Sequence, residues 1–290
     1  MFILYYLLIL PVSYLPNRIL YLLADFLYLI FYKLLGYRKK VVRNNISNSF
    51  PQKTEKERLA IEKSFYKHFA DLVLESVKAF TISTEEIQKK VLHPDVSLFN
   101  KYLQEGRHLA LVGGHYGNWE LFAVSVGLDI PHQPVALYTP LKNKFMDKKM
   151  QSSRARFGLL MRNYEQVKQM AVDPEQKPMA VIFGSDQSPR LSQKPHWMEF
   201  LNQETGVQVG TEKFARDYNA VVIYGLIKKV KRGHFELTYR LITDDPSQLP
   251  WGAITEMHTR ELEKDIMDEP AYWLWTHKRW KRKRSDFENK

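Results

Sequence analysis

Hydrophobic residues follow three different patterns along the chain. The first 35 residues are almost entirely apolar and carry only three side-chain charges, Arg18, Asp25 and Lys33. Residues 52 to 80 place apolar side chains at helical spacing, whereas the sequence from Leu109 onward alternates short apolar runs with helical stretches. Because strands that alternate with helices form βαβ units, the sequence predicts an α/β fold with a mainly parallel sheet flanked by helices.

Individual elements follow from the same patterns. Residues 52 to 80 predict an amphipathic helix that begins with a capping box of Thr54 and Glu57, and shorter helices are expected over 83 to 91 and 251 to 268. The predicted strands are LALVGG, PVALY, PMAVIFG, AVVIYGLIKK and FELTYRL, and the predicted helices between them are WELFAVSVGL, FMDKKMQSSRARFG and TEKFARDYN.

The apolar N-terminus predicts a membrane-anchoring helix. Residues 17 to 35 approach the roughly 20 residues that a helix needs to cross a bilayer, although Asp25 interrupts them. A spanning anchor, a hairpin of interfacial helices bent at Pro11 and Pro16, and a cleaved signal peptide are all open. A signal peptide fits least, because no basic residue comes first and GYRKKVVR follows. A buried helix pair of a soluble protein also fits so short a span.

The boundary after this segment is strongly basic. Arg38, Lys39, Lys40 and Arg43 follow the apolar stretch, which by the positive-inside pattern places the remainder on the cytoplasmic side. The sequence therefore predicts a membrane anchor over residues 1 to 36 and a cytoplasmic α/β domain over residues 37 to 290.

Composition narrows the chemistry and the partners. With 44% hydrophobic residues, the 290-residue chain has ample material for a core, and the absence of cysteine excludes thiol nucleophiles, disulfides and thiolate metal sites. No HExxH or HxH spacing occurs, so no metal is expected. The net charge of +11 points to an anionic partner, which by charge alone is nucleic acid, an acidic protein or an anionic membrane surface.

The stretch GGHYGNWEL carries the main candidate for catalysis. Gly113 and Gly114 permit a tight turn, and His115 then lies at the carboxyl edge of a strand, where open α/β sheets bind ligands. Asn118 is suited to cap a helix that carries Glu120 in its first turn. An imidazole beside a carboxylate is a general base with its orienting group. The alternative is a strand-end histidine and an ordinary first-turn acid.

No nucleophile accompanies this pair. A GxSxG elbow is absent from the sequence, so the attacking group is expected to come from the acceptor substrate, in a direct transfer. Asp186 and Gln187 follow the predicted strand PMAVIFG and either line the same edge or form a turn and cap.

Five blocks of the sequence resemble the bacterial lipid A biosynthesis acyltransferases, the lauroyl and myristoyl transferases with an H-x4-D/E motif. GGHYGNWE is similar to that motif, and the other blocks, in the family's order, are RKKVVRNNISNSFP, YTPLKNKFMDKKMQSSRARFG, the pair SDQ and GTEKFAR, and PAYWLWTHKRWK. Two positions depart from the family pattern: Thr139 stands where an arginine is expected, and Trp273 stands where a tyrosine is expected.

The resemblance implies an inner-membrane O-acyltransferase that moves a fatty acyl chain from acyl carrier protein, or from acyl-CoA, to a hydroxyl of a lipid A precursor or related glycolipid. No cofactor is expected beyond the donor thioester. The implied catalytic residues are His115 as general base, Glu120 as its partner and Arg154 as a cation in the site. The expected substrate-binding residues are Asn118, Tyr138, Asn143, Arg156, Asp186 and Gln187.

The charge distribution agrees with these partners. Acyl carrier protein is acidic and a lipid A precursor carries phosphates, so both suit a basic enzyme at an anionic membrane surface. The tail HKRWKRKR mixes basic and aromatic residues in the manner of a headgroup-binding segment, and with an apolar N-terminus it favours the membrane and no nucleic acid. Its His277 is a second candidate for catalysis, although a histidine among cations is expected to stay neutral and pack. Acylation of an amino-acid lipid, or an anchored basic binding protein without catalysis, are the alternatives.

Overall fold

The computed structural model describes residues 1 to 288, and its centre is a seven-stranded sheet. The described residues form nine strands, seven of which belong to this sheet. They are β1 (Val91–Leu92), β2 (Leu109–Gly113), β3 (Gln133–Leu137), β4 (Leu160–Arg162), β5 (Met179–Gly184), β6 (His196–Phe200), β7 (Gln203–Val207), β8 (Val221–Lys231) and β9 (His234–Thr243). The sheet has the order β1-β9-β8-β2-β5-β3-β4, and β6 and β7 form a separate hairpin. Within the sheet only β8 and β9 pair antiparallel, which confirms the predicted α/β class.

Helices cover both faces of the sheet. They are α1 (Phe2–Leu4), α2 (Leu10–Ser13), α3 (Asn17–Leu29), α4 (Lys39–Ser49), α5 (Glu55–Lys78), α6 (Thr84–Lys90), α7 (Ser97–Gln104), α8 (Trp119–Asp129), α9 (Lys144–Ala155), α10 (Tyr164–Ala171), α11 (Gly210–Asp217), α12 (Ala253–Asp268) and α13 (Ser285–Glu288). The capping box of α5 is confirmed: the Glu57 amide donates to Thr54 Oγ1, and the Thr54 amide donates to Glu57 Oε2 over 2.7 Å.

The core forms two layers because successive side chains of a strand point to opposite faces. Ala110 and Val112 of β2 pack with one layer, which includes Trp273 and Trp275. Leu109 and Leu111 pack with the other layer, which includes Phe99 and Val126. Strand β2 is buried on both faces, so it reads as a continuous apolar run.

The N-terminal helices lie against α5. Two π-helical turns, Tyr5–Ile9 and Ile30–Leu34, join α1 to α2 and extend α3. Leu20, Ala24 and Tyr32 are buried, whereas most other apolar side chains of this segment are exposed. Within residues 1 to 288, no single helix is both long enough and apolar enough to cross a bilayer. One pair of consecutive helical segments meets both conditions when taken together, Asn17–Leu34 with Lys39–Ser49, but the pair is bent by 86°.

Polar contacts fix this segment to the α/β body. Arg232, in the turn between β8 and β9, donates to Asp25 Oδ1 over 2.7 Å and to Asp71 Oδ1 over 2.6 Å. Asp25 therefore has a cationic partner on the domain. The last two residues of the predicted domain, 289 and 290, lie outside the described part of the chain.

The segment after α12 lies across the turn that follows β2. The Gly117 amide donates to the Tyr272 carbonyl oxygen over 3.0 Å, and the Leu274 amide donates to the His115 carbonyl oxygen over 3.1 Å. These bonds bring Trp273 beside the carboxyl edge of the sheet.

Candidate active site

Two adjacent parallel strands bring His115 and Asp186 together. Gly113 of β2 is the register partner of Gly184 of β5, and each functional side chain lies two residues beyond its glycine. Nδ1 of His115 donates to Asp186 Oδ1 over 2.7 Å, and the His115 backbone amide donates to Oδ2 over 2.8 Å. The imidazole is therefore held in one orientation by a carboxylate.

Asp186 is buried and has a third donor. The indole Nε1 of Trp273 donates to Asp186 Oδ2 over 2.8 Å. Burial alone would raise the pKa of Asp186, but the charge of His115 and the hydrogen bonds from His115 and Trp273 hold that pKa well below its usual range. The carboxylate is thus ionised and accepts only, which places the proton of a neutral His115 on Nδ1.

His115 keeps its second nitrogen for another partner. Its side chain is 25% exposed, and Nε2 accepts from the Gln187 amide Nε2 over 3.1 Å. The Trp119 ring meets the imidazole edge-on, with centroids 5.1 Å apart. Burial lowers the pKa of His115, but the charge of Asp186, its hydrogen bond and the more distant Glu120 outweigh burial and raise that pKa above 6.5.

Glu120 does not orient the imidazole, so the predicted pairing of His115 with Glu120 is wrong. As predicted, Asn118 caps α8 and Glu120 lies in the helix's first turn, but its Oε2 accepts from Arg154 Nη2 over 2.6 Å. Asp186 reaches His115 because it stands at the equivalent position of the neighbouring strand. Glu120 instead holds the Arg154 side chain, which comes from the last turn of α9.

An apolar cavity of about 190 Å³ opens beside these groups. His115, Trp119 and Arg154 line it together with apolar side chains from the sheet and α8, among them Leu111, Phe122, Ala136, Ile182 and Leu237. Among the described residues that line it, Arg154 is the one lysine or arginine. Within residues 1 to 288, no three His, Asp or Glu side chains are grouped closely enough to hold a metal ion. The site therefore combines a base and a cation with room for hydrocarbon.

Two glycines leave space for the side chains of His115 and Asp186. A Cβ on Gly184 would lie 3.1 Å from Cε1 of His115. A Cβ on Gly114 would lie 2.7 Å from a methyl carbon of Leu262 and 3.3 Å from Asp186 Oδ2. Larger residues at these positions would displace the imidazole or the carboxylate.

His277 and Arg279 lie near the buried side of Asp186. His277 Nε2 accepts from the Ser188 amide over 3.1 Å, and burial lowers the pKa of His277 to about 4, so it packs as a neutral group, as expected. Arg279 is buried and donates to the Gly206 carbonyl oxygen over 2.9 Å. Burial lowers the pKa of Arg279 to about 10 against the opposing charge of Asp186, so this guanidinium remains a cation near the carboxylate.

Comparison with known proteins identifies the family. A model described as bacterial lipid A biosynthesis acyltransferase matches residues 1 to 282. This chain belongs to that family. It is 24% identical over 253 residues to the lipid A biosynthesis palmitoleoyltransferase of Escherichia coli (strain K12), covering 85% of this chain and 80% of the relative. The identity and coverage are the same for a lipid A biosynthesis acyltransferase of Shigella flexneri. An anchored binding protein without catalysis is therefore excluded.

Two of the expected substrate-binding residues of this acyltransferase are helix caps. Asn118 is buried; its Oδ1 accepts from the Leu121 amide over 2.9 Å, and it has no exposed surface for substrate. Asn143 is exposed and caps α9, where Oδ1 accepts from the Met146 amide over 3.0 Å. The predicted substrate contact of Asn118 is wrong, because the side chain is fully buried and its role is to cap α8.

Two further expected ligands of substrate are engaged elsewhere. Arg156 donates to the carbonyl oxygens of Ala79 and Ile82, over 2.7 and 3.0 Å, at the end of α5. Its guanidinium thus holds the backbone of a neighbouring helix end, and its contact with substrate stays a prediction. Tyr138 donates its hydroxyl to Asp147 and so stabilises the loop before α9.

Asp186 and Gln187 do lie at the predicted edge, but they contact His115 instead of forming a separate binding surface. The structure adds Trp273, which sequence reasoning noted only as a departure from the family pattern. The second departure, Thr139, accepts from the Arg190 guanidinium over 3.2 Å. A cation from a neighbouring loop thus lies where the family pattern has an arginine.

Proposed function

We propose that this acyltransferase moves a fatty acyl chain from a carrier thioester to a hydroxyl of a lipid A precursor or a related glycolipid. The observation that carries the proposal is the pair of His115 and Asp186 at an apolar cavity that Arg154 also lines. Family membership and the printed names of both relatives support the acceptor class.

His115 acts as the general base. Asp186 fixes the proton of the neutral imidazole on Nδ1, so the lone pair of Nε2, which accepts from the Gln187 amide in this structure, is available to take a proton. The acceptor hydroxyl replaces the Gln187 amide at Nε2 and gives up its proton as its oxygen attacks the thioester carbonyl carbon. Asp186 stabilises the imidazolium that results.

The second step releases the thiol. The tetrahedral intermediate collapses, the new carbon–oxygen ester bond remains, and the carbon–sulfur bond breaks. The proton that His115 has taken passes to the departing thiolate, which returns the imidazole to its neutral form. Arg154, held by Glu120 over 2.6 Å, supplies positive charge for the oxyanion or for an acceptor phosphate.

The cavity takes the acyl chain. Its lining is mainly aliphatic and aromatic, which suits a hydrocarbon chain. Acyl carrier protein is the favoured donor because it is acidic and the enzyme carries a net charge of +11. Acyl-CoA is the alternative donor, and an amino-acid lipid is the alternative acceptor.

In this proposal the enzyme lies at the cytoplasmic face of the inner membrane, where its N-terminal helices contact the lipid. Ile3, Leu7, Leu22, Phe26 and Leu34 are each more than half exposed, although the opposite face of the same helices is docked on α5. Lys33 is exposed on the π-helical turn that extends α3, and Lys149 of α9 lies over the rings of Tyr5 and Tyr6, so positive charge borders these helices, which favours anionic headgroups. We therefore favour helices that lie in the interface over a spanning anchor.

The test is an acyl-transfer assay with purified full-length protein in lipid vesicles. Acyl carrier protein and CoA thioesters are compared as donors, and a lipid A precursor, another glycolipid and an amino-acid lipid as acceptors, with His115→Ala as the control. We expect transfer to the lipid A precursor that falls about 10²-fold or more in His115→Ala. Undiminished transfer by His115→Ala would refute the proposed base, and transfer to the amino-acid lipid alone would refute the acceptor.

A further inference from the structure

A buried carboxylate outside the reaction site connects an N-terminal helix to the start of α8. Glu75 of α5 is buried, and both of its oxygens accept from neutral donors. The Tyr21 hydroxyl donates to Oε1 over 2.8 Å, and Asn118 Nδ2 donates to Oε2 over 2.6 Å. Burial of a carboxylate costs desolvation free energy. The position of Glu75 between two helices therefore points to a specific role.

The contact with Asn118 determines how α8 begins. Oδ1 of Asn118 must accept from the Leu121 amide to cap the helix, so Nδ2 points the other way and needs an acceptor of its own. Glu75 is that acceptor. Without it, a buried amide donor would be unpaired, and the cap would be free to rotate out of position.

The first turn of α8 carries two groups of the active site. Trp119 packs edge-on against the His115 imidazole, and Glu120 holds Arg154 over 2.6 Å. A small displacement of this turn therefore moves two groups together: the Trp119 ring that packs against the imidazole, and the Arg154 side chain that Glu120 holds. Glu75 contacts neither the base nor the cavity, so its influence on the reaction passes through Asn118.

The contact with Tyr21 extends the network to the apolar N-terminal segment. Tyr21 lies on α3, and its hydroxyl fits beside Gly233, where a Cβ would lie only 1.8 Å from the hydroxyl oxygen. Gly233 has φ +76°, a conformation that favours glycine, and it leaves the space that the tyrosine occupies. The tyrosine thus reaches Glu75 through an opening built into the turn between β8 and β9.

We propose that Glu75 is a positioning residue that couples the docking of α3 to the geometry of the active site through Asn118. The inference rests on the proposed function for its effect on catalysis, but its structural half is independent of the substrate. Loss of the Glu75 carboxylate loosens the first turn of α8, and loss of the Tyr21 hydroxyl acts on the same turn through Glu75.

Three variants of the full-length protein test the coupling. Glu75→Ala removes the acceptor of Asn118, whereas Glu75→Gln keeps it, because its carbonyl accepts from Asn118 while its amide donates to the Tyr21 hydroxyl. Glu86→Ala is the matched control: Glu86 accepts from Asn17 Nδ2, also on α3, over 3.0 Å, but belongs to α6 and makes no contact with Asn118.

The first readout is hydrogen exchange of the peptide that contains residues 118 to 124. We expect faster deuterium uptake in Glu75→Ala than in the parent protein, with Glu75→Gln and Glu86→Ala close to the parent. Unchanged uptake in Glu75→Ala, or an equal rise in Glu86→Ala, would overturn the proposal. This readout decides it even if the parent protein transfers no acyl chain, which would refute only the proposed function.

The second readout is acyl transfer. We expect Glu75→Ala to lower kcat by about tenfold, the scale of one lost buried hydrogen bond, with a smaller change in KM and with recovery in Glu75→Gln. Tyr21→Phe should lower kcat less, and it should add nothing in the Glu75→Ala background because both act along one path. Multiplying effects would overturn the coupling.

Discussion

His115 and Asp186 stand two residues beyond a pair of register-matched glycines, and their side chains meet at 2.7 Å. The parallel sheet itself thus aligns the base with its carboxylate. Two separate pairs result: His115 is hydrogen-bonded to Asp186, and Glu120 forms an ion pair with Arg154. Substitutions of the two carboxylates should therefore have different consequences.

Asp186→Asn should lower kcat by about 10²-fold or more, because the imidazole loses the charge that orients it and stabilises its protonated form. Glu120→Gln should weaken the hold on Arg154 while leaving the hydrogen bond of His115 intact. We expect the effect of Glu120→Gln to vanish in an Arg154→Ala background. Steady-state kinetics of the single and double variants measure this, and a persistent effect would contradict the assignment of Glu120.

The pH dependence should report the raised pKa of His115. The base works in its neutral form, so kcat/KM should fall as the pH drops through a pKa above 6.5. In Asp186→Asn the attraction of the carboxylate is lost and burial, which lowers the pKa, remains. The acid limb of the residual activity should then move to lower pH. A limb that stays in place would show that another group sets it.

Trp273→Phe should separate the indole donor from aromatic packing. The substitution keeps a buried ring but removes the Nε1 bond to Asp186 Oδ2, which then keeps only the His115 backbone amide as a donor. A hydrogen bond to a charged group contributes about 1.5–3 kcal/mol. We expect a roughly tenfold lower kcat on the same scale. Trp275→Phe is the control, because Trp275 Nε1 donates to the Pro270 carbonyl oxygen over 2.6 Å and not to the carboxylate. Equal losses in both variants would assign Trp273 to packing alone.

Ala123→Leu should shorten the preferred acyl chain. Ala123 lines the cavity from α8, and a larger side chain there occupies space that hydrocarbon would fill. Competition between donors of different chain length measures the shift, with Ala123→Ser as a control of similar size. An unchanged preference together with normal folding would place the acyl chain elsewhere.

The exposed face of α3 should govern membrane binding. Leu22→Glu combined with Phe26→Glu places two charges on that face, and we expect loss of co-sedimentation with vesicles of zwitterionic and anionic phospholipids. Val172→Glu is the control, because Val172 is exposed near the end of α10. Full binding by the double variant would contradict an interfacial anchor.

Local signals in the sequence predicted much of the fold and part of the site. The alternation of apolar runs and helical stretches was enough for β2, β5, α8 and α9, although it missed α10. The caps at Thr54 and Asn118 follow from local hydrogen-bond chemistry. The three-residue strand β4 and the hairpin of β6 and β7 were not predicted, because so few residues carry little periodicity.

The partner of His115 was missed because its pairing is set by strand register and not by sequence spacing. Glu120 is five residues from His115, whereas Asp186 is 71 residues away and becomes its neighbour only when β2 pairs with β5. One signal was present: each strand ends in glycine, and each functional residue follows its glycine by two positions. Trp273 had no such signal, since its contact depends on the path of the chain after α12.

The hydrogen bond from Trp273 to Asp186 also bears on when the enzyme becomes competent during its synthesis. Asp186 is made 87 residues before its indole donor, so a nascent chain already holds the base and its carboxylate while the closing segment is still being translated. Until that segment has left the ribosome and docked, the acidic residue lacks one of its three donors. We therefore expect the full rate of acyl transfer only after this last segment has docked.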